Sequence, residues 1–164
     1  MLPDGNIDPG FGDNGFFVST LGTDTRPPLF ALAPSGAMAI VFDSGDNVST
    51  LLRLTPAGDL FDEILLPVNS EVLSDGTDLT VSTSPSDLAF DQFGNLVLTS
   101  SRSINAFTSL PNTIQRILPT GELDADFGLD GSAILGFTGA TDIIFDSQNR
   151  LIVVGEDRTR FEFV

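Results

Sequence analysis

Five aspartates stand where their type and spacing could do chemistry. Asp124, Asp126 and Asp130 fall within GELDADFGLDG at residues 121–131, and Asp8 and Asp13 within GNIDPGFGDNG at residues 5–15. Carboxylates at alternate positions beside glycine suit a hard cation, so calcium is the cofactor this pattern would admit. The spacing departs from the EF-hand loop, which also needs a distal glutamate. The two segments match each other at Gly5/Gly121, Asp8/Asp124, Phe11/Phe127, Gly12/Gly128 and Gly15/Gly131. A feature copied within one chain serves first what the copies share, which is the fold. The structural reading therefore takes precedence: Asp8 and Asp124 accept backbone hydrogen bonds in a turn, Phe11 and Phe127 plug between repeat units, and the glycines supply unusual φ. On that reading no catalytic, cofactor-binding or metal-ligating residue is assigned.

Arg53 and Arg116 recur in the same way, in the apolar runs TLLRL at 50–54 and TIQRI at 113–117. Free guanidinium groups would grip an anionic ligand. In a chain of net charge −16, arginines within apolar strands are expected instead to pair with carboxylates of the adjoining unit. All seven basic residues are arginine, and Cys, His, Lys, Trp and Tyr are absent. Those absences exclude disulfides, thiolate nucleophiles, the usual zinc sites, Ser-His-Asp triads and Schiff-base chemistry. Nucleic acid is not an expected partner, because its backbone would be repelled and no basic stripe offsets the charge. The apolar runs are far shorter than the roughly 20 residues of a membrane-spanning helix, so no membrane span is expected.

The elements that must position these residues are short strands. LFALAPSGAMAIVF (29–42), DLAFDQFGNLVLTS (87–100) and DIIFDSQNRLIVVG (142–155) each read as two apolar strands joined by a tight turn, at Ser35-Gly36, Phe93-Gly94 and Gln148-Asn149. A second punctuation recurs as LPDGNI (2–7), LTPAGDL (54–60) and LPTGEL (118–123). The period is about 55 to 60 residues with about four strands in each, and no window has helical periodicity with caps. In the last copy the strands are expected at 132–137, 141–145, 150–155 and 160–164. Such a period is the signature of a β-propeller-type repeat, an all-β architecture of about three four-stranded blades within one domain spanning 1–164. Approximate repeats are 1–54, 55–118 and 119–164. The middle copy departs most, and residues 68–86 are expected to form a loop or irregular extension.

Residues 116–131, RILPTGELDADFGLDG, resemble the bacterial delta-60 repeat, whose pattern looks like R-L-x-P-x-G-x-L-D-x-x-F-G-x-x-G. Residues 3–15 match without the arginine, and 53–62 match its first half. The resemblance implies a propeller-like repeat from a large exported protein, hence an extracellular or cell-surface setting in a bacterium. It says little of activity, because propellers host binding, scaffolding and enzymes alike.

Closed propellers carry about four to eight blades, so three periods look incomplete. The expectation is head-to-tail assembly of the chain with itself, either as a six-bladed ring from two copies, with each C-terminal strand at Phe161 to Val164 completing the partner's N-terminal blade, or as an open filament. Other proteins or cell-surface ligands are the further partners considered. Local function would lie where the repeat symmetry breaks: 68–86, the loop at 42–47, and the segments 100–112 and 155–160 that carry Arg102, Arg158 and Arg160, each read first as a solvated loop. The preferred function is a non-enzymatic module for protein binding, scaffolding or self-assembly. The alternative is a calcium-dependent hydrolase of the propeller lactonase kind, whose carboxylates would hold a metal at the ring centre. No unique set of acidic and amide residues marks such a centre.

Overall fold

Hairpin turns of one type recur throughout the computed structural model, which describes residues 1–21, 27–43, 48–66, 70–72, 78–104 and 108–156. In the five-residue windows starting at Leu2, Ala33, Thr55, Asp91, Leu118 and Asp146, the first N–H donates to the fifth carbonyl and the fourth N–H donates to the first carbonyl. The fourth residue is Gly5, Gly36, Gly58, Gly94, Gly121 or Asn149, all at positive φ. This is the hairpin loop that requires a left-handed residue, which explains why Gly or Asn holds that place each time. Where the first residue is aspartate, its carboxylate adds bonds: Asp91 Oδ1 accepts from the N–H groups of Phe93 and Asn95, at 2.9 and 2.8 Å.

Among the described residues the turns starting at Ala33, Thr55, Asp91 and Asp146 link antiparallel strands, and no helix occurs. The first sheet is a four-stranded meander of β1 (Leu29–Leu32), β2 (Met38–Asp43), β3 (Ser49–Leu54) and β4 (Leu60–Leu66). The second contains β6 (Asp78–Phe90), β7 (Leu96–Ile104), β8 (Thr108–Ile117) and β9 (Ser132–Ile134), with β5 (Ser70–Val72) paired to the start of β6. The third is the hairpin of β10 (Gly139–Phe145) and β11 (Leu151–Glu156).

These sheets stack face to face, with β1 and β10 each packed against β6. Ala31, Ala39, Val41 and Leu51 of the first sheet meet Leu88, Leu96, Leu98 and Ile117 of the second. Val97 and Ile114, on the opposite face of the second sheet, meet Ile143 of the hairpin, with Ala89, Phe145, Leu151 and Val153 around them. Beside its tight turn both faces of the second sheet are therefore apolar, so Leu88–Phe90 and Leu96–Leu98 read as unbroken hydrophobic runs instead of alternating ones. Fully buried leucines such as Leu51, Leu96 and Leu98 contribute about 2 kcal/mol each through the area they remove from water.

Two expectations change. Residues 70–72 and 78–86 lie in β5 and β6, not in an irregular extension. Val81 and Thr83 alternate inward there, and their β-branched side chains suit a strand despite the polar composition. Arg102 belongs to β7 and is buried, not solvated, because β7 and β8 extend through most of the expected loop at 100–112. In the last copy, strands occupy 132–134, 139–145 and 151–156, while the expected strand at 160–164 lies outside the described residues, as do Arg158, Arg160 and most of the loop at 42–47.

Candidate functional site

The two aspartate-rich segments have the same backbone. Gly5, Gly12, Asn14 and Gly15 have positive φ, and so do their counterparts Gly121, Gly128, Asp130 and Gly131. Asn14-Gly15 and Asp130-Gly131 are the central pairs of two-residue turns, closed by Asp13 N–H to Phe16 carbonyl and Leu129 N–H to Ser132 carbonyl, at 2.8 and 2.7 Å. Positive φ at both central positions is the type I′ geometry, for which Asn-Gly and Asp-Gly are the favoured pairs. Asp8 Oδ1 accepts from Gly10 N–H at 2.9 Å, and Asp124 Oδ1 from Asp126 N–H at 3.1 Å. Two of the carboxylates that suggested calcium, Asp8 and Asp124, thus serve turns, and among the described residues no group of three acidic side chains is placed to hold a metal ion.

Each segment also joins neighbouring units. Phe127 packs against Val97 and Ile114 of the second sheet and Ile143 of the hairpin. Phe11 lies against Gly58, so closely that a Cβ there would stand 2.8 Å from the ring, and Gly12 N–H donates to the Ala57 carbonyl at 2.7 Å.

The arginines are held by a carboxylate and a ring in both sheets. Arg53 pairs with Asp62 through two parallel hydrogen bonds and sits 5.2 Å from the centre of the Phe61 ring. Arg116 Nε donates to Asp124 at 2.6 Å, and its guanidinium is 4.7 Å from the Phe127 ring. The expected pairing with carboxylates holds, but the partners belong to the same sheet or its own connecting segment. What crosses to the neighbour is a backbone contact: Arg53 Nη1 donates to the carbonyls of Leu118 and Pro119, at 3.3 and 2.7 Å. Neither arginine is an open anion grip. Asp62 is one residue out of step with Asp124 relative to its arginine, and a register shift between Arg53 and Leu54 brings it into reach.

Exposed apolar surface lies at each of the two ends of the stack. Strand register equates Ala31/Ala39, Ala89/Val97 and Ile144/Ile152, which are paired positions on the face each sheet turns toward its successor. Val97 is 1% exposed beneath the hairpin, whereas Ile144 and Ile152 are 52% and 41% exposed, with Val154 beside them. The opposite face carries Phe30, Leu88 and Ile143 at equivalent positions. Leu88 is 4% exposed and Phe30 is 56% exposed, with Leu32 beside it. One end of the stack presents a forward face and the other a backward face. Sequence reasoning missed these residues because an apolar strand looks the same whether one or both of its faces are covered.

No membrane-spanning helix is found among the described residues. Comparison of the chain with protein-family models, curated proteins and solved structures returned no match.

Proposed function

We propose that this chain is a non-enzymatic repeat module of the β-propeller type that acts by self-assembly, stacking head to tail through its terminal sheet faces. The observation that carries this reading is the exposure of Ile144, Ile152 and Val154 at one end and of Phe30 and Leu32 at the other. Within the chain, the same two kinds of face meet twice to form the cores. Repeat architectures leave such faces at their ends and need a cap or a further unit to cover them. A second copy offers each face its complement. Contact between unlike faces is heterologous: it closes into a ring where the rotation permits, about six blades from two copies, and otherwise grows into a filament.

The delta-60-like joints at 5–15 and 116–131 support, as part of the same proposal, an exported bacterial setting in which a repeat module acts as a scaffold. Sedimentation velocity across a series from low to high micromolar concentration tests the assembly. A sedimentation coefficient that rises with concentration supports it, and a single monomeric species throughout removes it.

A further inference from the structure

The gap between the first and second sheets recurs between the second sheet and the hairpin, and the two gaps differ in size. In the later gap, lined by Arg116, Phe127, Phe145 and Asn149 among others, the space is about 170 Å³. In the earlier one, lined by the equivalent Arg53, Phe90 and Gly94 together with Phe61, it is about 420 Å³. The cause is local. Asn149 Oδ1 accepts from Gln92 N–H at 3.0 Å, clamping the two turns together. One unit earlier the equivalent positions are Gly94 and Pro34, which supply neither the side-chain acceptor nor the N–H. Ala33 also stands where the later gap has Asp91.

We propose that this wider cleft is a binding site for a neutral aromatic molecule of one or two rings. Its volume falls within the range of small-molecule sites, about 300 to 1,000 Å³. Its walls are flat and apolar: Pro34, Pro56, Pro119, Phe61, Phe90 and Phe93. Ring faces against prolines and phenylalanines favour a planar ligand. The charge of the lining excludes ions. Arg53, its charged residue, is neutralised by Asp62 and spends further donors on Leu118 and Pro119, so an anion finds no grip. The lining contains no carboxylate to attract a cation. The cleft lies within one chain and does not depend on the assembly proposed above.

N-acetyl-tryptophanamide is a suitable probe, because the protein has no Trp or Tyr and is silent when indole is excited selectively. Its emission should shift to the blue and saturate with a Kd below about 1 mM. The double variant Pro34→Gln, Gly94→Asn rebuilds the clamp of the later gap. Asn suits that position, since Asn149 holds the equivalent one at φ 58°, and a Cβ at Gly94 meets only Pro119 Cγ at 3.9 Å. The double variant should weaken binding at least tenfold without lowering Tm, and Phe93→Ala, at an exposed ring on the rim, should also weaken it. Absence of saturable binding overturns the proposal. So does affinity unchanged in both variants, or tighter binding of the anionic indole-3-acetate than of the neutral probe.

Discussion

Arg53 donates through Nη1 to the carbonyl of Pro119 at 2.7 Å, and by that bond the first sheet holds the turn that follows the third long strand of the second. Asp62 keeps the guanidinium oriented while it does so. The Arg53 side chain is only 9% exposed, so removing its carboxylate leaves a buried charge unpaired. Asp62→Ala should therefore cost about 3 kcal/mol in urea unfolding. Asp124→Ala removes the partner of the more accessible Arg116, where water can replace part of the interaction, and should cost about 1 kcal/mol through the ion pair. Equal losses from the two substitutions would count against the inter-sheet role of Arg53.

The type I′ turns separate a structural role for the aspartate segments from metal binding. Asp130 has φ 49° and occupies the position held by Asn14 in the other copy. Asp130→Asn should leave Tm unchanged or slightly raised, and neither calcium nor EDTA should move it. Gly131→Ala should cost about 2 kcal/mol or more, because the residue has φ 85° and a Cβ would meet Leu123 Cγ at 2.4 Å. A calcium-dependent rise in Tm that disappears in Asp130→Asn would restore the metal reading.

Asp87 ties the second sheet to the hairpin, its Oδ2 accepting from Ile143 N–H at 2.6 Å. Burial raises its carboxyl above the ordinary value and the nearby Asp142 carboxylate adds to the rise, against the backbone N–H groups of Ile143 and Leu88. The folded state thus favours the protonated form more than the unfolded chain does. The stability this group contributes is complete below the ordinary carboxylate value and is lost as pH rises through the raised one. Asp87→Asn keeps an acceptor for Ile143 and removes the titration. Between mildly acidic and neutral pH, Tm should fall less steeply in this variant than in the parent. Parallel Tm profiles would show that Asp87 does not carry the effect.

Much of the architecture was legible because it rests on residues with few substitutes. The glycines and Asn149 that end the hairpin loops, and the Asn-Gly and Asp-Gly pairs, mark left-handed backbone whatever surrounds them. The serine- and threonine-rich start of β6 was not legible, since its pattern also suits a loop and only pairing with β7 decides the matter. The Arg53–Asp62 pair depends on a register shift that no spacing rule anticipates. The exposed faces were hidden for a further reason: Ile144 and Val97 are both apolar strand residues, and only the stacking order leaves one bare and the other covered.

The most direct test of head-to-tail stacking uses two variants, each with one face disabled: Ile144→Asp on the forward face and Phe30→Asp on the backward face. Light scattering should show each variant alone as a monomer at concentrations where the parent associates. An equimolar mixture should form a one-to-one dimer through the two intact faces, because unlike faces pair. A parent that stays monomeric, or a mixture that stays monomeric while the parent associates, would contradict the account.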